Sequence, residues 1–484
     1  MNGSSLKQKT IGALLWNLLD RIGQQVLLFI VGILVANILS VEDYALIGML
    51  AIFNALATII LDSGFSSALI RKQDATEQDY NSVFYLNIVI SLCLYFLLFM
   101  AAPYIAHFFG QPKLTSLARI LFLALPFNSL SLIQTTLLNK QVRFKELTKV
   151  NMKALLLSSI ASLIMAYSGM GVWTLAYQPV ILAALRSLFL WTENSWRPRR
   201  MFAFRSISDL FGFASNLLFA SLINSIFTNI YSVAIGKLFP PVQLGYYTQG
   251  NKFSLMVISS MYSSLQSATY PIFSSIQHDH ERSIRSYRKT IRFTAFLTFP
   301  LLIGATSVAP QFIAIILKPE WMGCIPFFQI TSLAGIFTIL TTINQNFAKV
   351  QGCSYLILKL EVARTLLIIV SLITTLQQSA LTMIACLAVT QLLIYLVSMF
   401  VIGRAVGYSW TKQIQDIIPY ALLSVAMWAL LLIPDYFISE PIILFPLKVL
   451  MGAGFYYIMN RLLGSSILQE TRELLFKHNK NEQP

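Results

Sequence analysis

Long apolar runs recur along the whole 484-residue chain, separated by short polar turns, and they fix what it can fold into. A helix needs about 20 mostly apolar residues to cross the hydrocarbon core of a bilayer. With that ruler the sequence gives fourteen candidates: 11–38, 44–68, 82–106, 116–138, 152–170, 172–192, 208–236, 244–272, 289–312, 324–348, 357–377, 379–402, 416–433 and 441–463. Strands do not compete, because the runs are too long and lack period-2 alternation. The expected fold is therefore all-α and polytopic. Composition agrees, at 56% hydrophobic and 11% charged residues against about 45–50% and 25% in an average soluble domain. A soluble enzyme, a nucleic-acid-binding protein and a disordered scaffold are excluded on this ground.

The formal charge of +15 has a membrane explanation, since cytoplasmic loops collect Lys and Arg. With the N-terminus inside, the inner segments hold 26 of the 35 basic residues, from Lys7 and Lys9 to Lys477 and Lys480. The outer segments hold Lys113, Arg119, Lys237 and Lys318. A missed helix would scramble this alternation from that point on, so fourteen helices with both termini cytoplasmic are expected. The polar start MNGSSLKQKT and the apolar run after it lack a small-residue cleavage site, which reads as a retained first helix. Cys93, Cys324, Cys353 and Cys386 lie far apart in apolar stretches and suggest neither a disulfide framework nor a metal site.

The chain repeats itself. Ala102-Pro103-Tyr104-Ile105-Ala106 at the end of the third span is echoed by Ala309-Pro310 and Ile313-Ala314 at the end of the ninth. The turn Ile38-Leu39-Ser40-Val41-Glu42 likewise corresponds to Leu238-Phe239-Pro240-Pro241-Val242. Six helices per copy make the repeat parallel, an arrangement used by transporters. The expected organisation is an N-terminal lobe over 1–195, a C-terminal lobe over 196–405 opened by the basic linker Trp196-Arg197-Pro198-Arg199-Arg200, and two further helices with a tail over 406–484. Two pseudo-symmetric lobes around a central cavity are the corresponding architecture.

Polar residues in lipid are costly and normally face protein or water. Asn17, Asp20, Arg21 and Gln24 share one face of the first helix at i, i+3, i+4 and i+7. Asn54, Thr58 and Asp62 line up on the second, Ser221, Asn224, Thr228 and Tyr231 on the seventh, and Thr338, Thr341 and Gln345 on the tenth. Such stripes point to a hydrated cavity. Arg21, roughly 15 Å into its helix, could pair with Asp20 or Asp62, or attract a phosphate that its guanidinium holds bidentately. Lys252 and Arg119 are weaker cation candidates, and Arg186, Arg364 and Lys448 read as snorkelling side chains near helix ends. Catalysis has little support, because none of the four histidines sits in a nucleophile–base constellation. His278-Asp279-His280 reads as a solvated loop, and there is no phosphate-binding P-loop. No cofactor, metal or nucleic acid is expected.

Several stretches carry a family resemblance: Leu39-Ser40-Val41-Glu42-Asp43-Tyr44 with Ile47-Gly48-Met49, Gly64-Phe65-Ser66-Ser67-Ala68-Leu69-Ile70, Phe108-Phe109-Gly110, Gly171-Val172-Trp173, Trp196-Arg197-Pro198, Leu244-Gly245-Tyr246-Tyr247 and Trp321. In order and spacing, over at least residues 11–405, the chain resembles bacterial polysaccharide exporters of the Wzx type, in the multidrug/oligosaccharidyl-lipid/polysaccharide superfamily. The resemblance implies a flippase of the bacterial inner membrane. Its substrate would be an oligosaccharide on undecaprenyl diphosphate, such as an O-antigen, capsule or exopolysaccharide unit, moved to the outer leaflet by alternating access. It also implies coupling to H+ or Na+ and a place beside polysaccharide polymerase machinery. The chain departs from the family at Thr248-Gln249-Gly250-Asn251-Lys252, where relatives often read Tyr-Ser-Arg-Ala-Tyr, and at Tyr231, where many carry Asp. These departures argue against a cation site in the second lobe and leave Asp20 and Asp62 as ion-coupling candidates in the first.

Arg21, Asn17, Gln24, Lys252, Asn224 and Gln345 are the expected substrate-binding residues. A drug/cation antiporter of the same superfamily is the runner-up, although it would want an acidic, aromatic cavity. A membrane-embedded glycosyl or phosphoryl transferase is the third reading, and it lacks a catalytic carboxylate set or a large external platform.

Overall fold

The computed structural model describes residues 3–62, 64–276, 278–465 and 467–469. Among them there is no strand. The helices are α1 (Gly3–Ala36), α2 (Val41–Asp62), α3 (Phe65–Arg71), α4 (Glu77–Phe109), α5 (Leu114–Leu121), α6 (Ala124–Lys140), α7 (Phe144–Tyr167) and α8 (Trp173–Glu193). They continue with α9 (Phe204–Leu238), α10 (Pro241–Ser275), α11 (His280–Ile316), α12 (Ile325–Val350), α13 (Ser354–Thr375), α14 (Ala380–Val406), α15 (Trp410–Leu430) and α16 (Pro441–Leu462).

Local chemistry sets the helix ends. Thr76 and Asp79 form a reciprocal capping box that starts α4, and Gly110, at φ 67°, ends it in the left-handed conformation. Ser379 caps α14 through the Thr382 amide, and Gly407 closes it at φ 79°. The repeated Ala-Pro pairs put Pro103 inside α4 and Pro310 inside α11, a placement membrane helices tolerate because neighbouring groups satisfy the freed carbonyl.

Among the described residues twelve helical stretches are long and apolar enough to cross a membrane, so this is a multi-pass membrane protein. The expected count of fourteen is not reached on this measure. Helices form at both remaining places, as α10 and α13, and both are long enough. α13 is set apart by three charges, Lys359, Glu361 and Arg364, within one run, and α10, studded with Gln, Asn, Ser and Tyr, is not apolar enough.

The chain forms two compact units, Met1–Gly245 and Tyr246–Pro484. In the first, α1 packs on α7, α7 and α6 on α8, and α9 on α2, α3 and α4. Lipid gives little apolar drive for helices to associate, so close packing and polar contacts must hold them. Ser91 of α4 meets Ser129 of α6 at 3.0 Å. Gly64, at φ +69°, lies so close to α9 that a Cβ would stand 2.8 Å from the Ala214 carbonyl oxygen. At Gly245 a Cβ would stand 2.2 Å from the Val41 carbonyl oxygen. The basic linker is pinned rather than loose: the Arg199 amide donates to Asn81 and the Ala203 amide to Ser82.

In the second unit, α11 packs on α12, α15 and α16, and α14 on α12 and α13. Tyr287 stacks on Phe347 with centroids 4.1 Å apart. Its hydroxyl donates to Asn344 at 2.6 Å, Gln413 donates to the same oxygen at 3.0 Å, and Asn344 donates to Ser398 at 3.0 Å. This buried network ties α15 to α11, α12 and α14. Lys448, expected to snorkel, is instead 1% exposed and donates to Asp435 at 2.7 Å and to the Ser307 carbonyl at 3.2 Å. Its neighbours supply the partners, so it has no need to reach water.

Candidate functional site: an amide-lined cavity with an arginine

A cavity of about 400 Å³ opens within the first unit among α1, α2, α6, α7 and α8. Its polar lining is Gln24 of α1, Asn54 and Thr58 of α2, Asn128 of α6, Asn151 of α7 and Arg186 of α8. Leu28, Leu155, Pro179 and Leu182 supply apolar wall. Thr58 turns its hydroxyl back to the Asn54 carbonyl at 2.8 Å, the intrahelical bond that lets a threonine sit in a membrane helix.

Two charges belong to this site. The Arg186 Nε is buried without a hydrogen-bond partner. Asp20 of α1 accepts from the Asn151 amide at 3.2 Å, while its Oδ1 is buried and unpartnered. Asp20 lies near enough for its charge to act on Arg186. An arginine in the cavity wall and a carboxylate behind it, each with a buried polar atom left unpartnered, are a costly arrangement unless a ligand completes it. The cavity can thus offer a guanidinium to an anion and four amide side chains to hydroxyl groups.

The residues expected from the sequence divide in their placement. Gln24 lines the cavity and Asp20 adjoins it through Asn151. Asn17 lies outside the described residues as far as its side chain is concerned. Arg21 is exposed, as is Asp62 at the end of α2, and among the described residues no ion pair joins Arg21 to Asp20 or Asp62. One step along a helix turns a side chain by about 100°, which carries Arg21 off the face that Asp20 and Gln24 share. Asn224 is exposed on α9, and Lys252 is half-buried on α10 in the second unit. Gln345 donates to Glu361 at 3.1 Å. None of these three lines the cavity.

Sequence reasoning missed Arg186, Asn128 and Asn151 as site residues. Arg186 was expected to snorkel from a helix end; it stands seven residues from the C-terminal end of α8, about 10 Å at 1.5 Å per residue, and its side chain lines the cavity instead. Asn128 shares a helical face with Ser131, Thr135 and Asn139 on α6, and Asn151 with Thr148 and Ser158 on α7, stripes of the same kind as those read on the first and second helices. Among the described residues no group of three His, Cys, Asp or Glu side chains could hold a metal, and Asp279 serves as the N-cap of α11.

Comparison with known proteins places this geometry. Residues 34–326, more than half of the chain, match the family model described as polysaccharide biosynthesis protein. The teichuronic acid biosynthesis protein TuaB of Bacillus subtilis is 24% identical over 81% of this chain and 82% of its own length. The succinoglycan biosynthesis transport protein ExoT of Rhizobium meliloti is 24% identical over 68% of this chain and 66% of its own. Among solved structures, the lipid II flippase MurJ in an inward closed conformation superposes with a TM-score of 0.75 at 16% identity, over 93% of this chain and 99% of that one. The fold is shared at that identity.

Proposed function

Because the chain belongs to the family of polysaccharide biosynthesis proteins, we propose that it is a flippase for an undecaprenyl-diphosphate-linked oligosaccharide. It moves an O-antigen, capsule or exopolysaccharide unit from the cytoplasmic to the outer leaflet by alternating access. The observation that carries this reading is the half-buried Arg186, whose Nε is buried without a hydrogen-bond partner, in a cavity whose other polar groups are mostly amides. A guanidinium is the natural receptor for a phosphate, which it grips through two parallel N–H groups. Amides both donate to and accept from sugar hydroxyls. The cavity volume falls within the range of about 300–1,000 Å³ typical of small-ligand pockets.

In this mechanism the lipid tail stays in the bilayer while Arg186 holds the diphosphate and Gln24, Asn54, Asn128 and Asn151 hold the first sugars. Arg21, exposed on the same helix as Asp20, draws the anion in before Arg186 takes it. Asn17 and Asn224 are the further sugar-binding candidates in this unit, and Lys252 and Gln345 those of the second unit. Asp20 takes up a proton or Na+ and so withdraws its charge from the neighbourhood of Arg186, which couples transport to an ion gradient, and Asp62 is the second candidate for that role.

The protein is a transporter and not an enzyme in this reading, and it works without ATP or a cofactor in the bacterial inner membrane. Both termini are cytoplasmic, on the strength of the loop charge. The six-helix repeats over 1–195 and 196–405 are its moving parts, with 406–484 an accessory pair of helices. Its product is delivered where polymerase machinery can use it. The test is transport of a labelled lipid-linked oligosaccharide across proteoliposomes. Arg186→Gln is expected to lower the rate at least tenfold, a loss of about 1.4 kcal/mol of anion binding. A rate equal to wild type refutes the phosphate role of Arg186.

A further inference from the structure

α11 is 37 residues long, about 55 Å, whereas the hydrocarbon core is about 30 Å thick. Its charge is confined to one end. Residues 280–292 carry Arg282, Arg285, Arg288, Lys289 and Arg292 against Glu281, and residues 293–316 carry no charge at all. The uncharged part alone spans the core, at roughly 36 Å. Arg288 and Arg292 therefore stand where headgroups meet acyl chains.

At that level they meet Asp416 of α15, whose side chain is 2% exposed. Arg288 donates to both Asp416 oxygens through Nε and Nη2. Arg292 donates to Oδ1 through Nε at 2.7 Å and through Nη2. Tyr408 donates to Oδ2 at 2.6 Å. One carboxylate thus fixes two guanidinium groups and neutralises only one of them. Both arginines remain accessible, at 41% and 32% side-chain exposure. Their Nη1 hydrogens take no part in these bonds. Beyond the charged cluster, α11 exposes Phe293, Leu297 and Leu301, and α15 exposes Ile418 and Leu422. Trp410, the exposed aromatic that opens α15, suits the membrane interface.

A pair of arginines held rigid with one net charge at headgroup depth, above lipid-facing apolar side chains, is complementary to a phosphodiester carrying acyl chains. We propose that Arg288, Arg292 and Asp416 form a binding site for the phosphate of an anionic bilayer phospholipid, whose chains lie along α11 and α15. Asp416 orders the arginines in advance, so that binding costs little side-chain entropy. Zwitterionic lipids bind less well because their ammonium group opposes the residual positive charge.

The test is native mass spectrometry of the full-length, delipidated protein with phosphatidylglycerol and phosphatidylethanolamine of identical chains. Wild type is expected to retain phosphatidylglycerol about fivefold better, the effect of roughly one net charge at the surface. Arg288→Gln with Arg292→Gln should bring the two lipids to parity, and Lys412→Gln on the adjoining turn should leave the preference intact. Should the double variant fail to fold, the wild-type protein still decides the matter: its melting temperature must rise with phosphatidylglycerol and not with phosphatidylethanolamine. Equal retention by wild type, undiminished preference in the double variant, or displacement of phosphatidylglycerol by an equimolar amount of undecaprenyl diphosphate overturns the proposal.

Discussion

Asn151 of α7 donates its side-chain amide to Asp20 of α1 at 3.2 Å, and the carboxylate oxygen it does not reach, Oδ1, is buried without a partner. A half-satisfied carboxylate in a membrane protein is expensive, and the simplest relief is a proton or a cation on the empty oxygen. Asp20→Asn keeps the shape and removes the charge. Transport by this variant should fall about tenfold or more and no longer respond to an imposed H+ or Na+ gradient. Gradient-dependent transport in Asp20→Asn would remove Asp20 from the coupling step.

Arg186 separates a structural role from a functional one. If it held the fold together, Arg186→Gln would destabilise the protein as well as inactivate it. Because its Nε is buried and unpartnered, removal of the charge should leave the melting temperature unchanged or raise it while transport collapses. Arg186→Lys keeps the charge but loses the planar fork, so intermediate transport is expected. Parallel loss of stability and transport in Arg186→Gln would identify a structural arginine.

Lys448 and Asp435 make the opposite case. Lys448 is buried at 1% exposure and its ion pair joins α16 to the turn after α15. Asp435→Asn leaves an uncompensated buried ammonium, with an expected cost of about 3 kcal/mol. Lys448→Met in the Asp435→Asn background should restore most of it. Thermal unfolding of the two singles and the double gives the coupling, and additive losses would show that the pair contributes nothing.

Gly245 tests the tight contact at the head of α10. A methyl group there would overlap the Val41 carbonyl oxygen, a backbone atom that cannot rotate away. Gly245→Ala should cost about 1–3 kcal/mol and reduce the yield of folded protein. Wild-type thermal stability would mean that the start of α2 yields without strain.

The fold was legible because its signals are local. Long apolar runs, the Thr76–Asp79 cap and the glycines at 110 and 407 each act on their own helix. The site was legible only in part. The i, i+4 spacing of Asp20 and Gln24 put both at the cavity, and Asn54 with Thr58 followed from the same periodicity. Arg21 shows the limit of that reasoning: a residue adjacent to Asp20 in sequence faces elsewhere. Asn128, Asn151 and Arg186 come from three different helices, and only tertiary packing brings them together. Depth was misjudged for Lys448, whose partners Asp435 and Ser307 lie 13 and 141 residues away in sequence.

The most direct test of the account is lipid mass spectrometry on cells depleted of this protein and complemented with wild type, Arg186→Gln or Arg21→Ala. An undecaprenyl-diphosphate-linked oligosaccharide is expected to accumulate on depletion and to be cleared by wild type. Arg186→Gln, present in the membrane at normal abundance, should fail to clear it, and Arg21→Ala should clear it slowly. Depletion without accumulation, with surface polysaccharide unchanged, would contradict the assignment of this substrate.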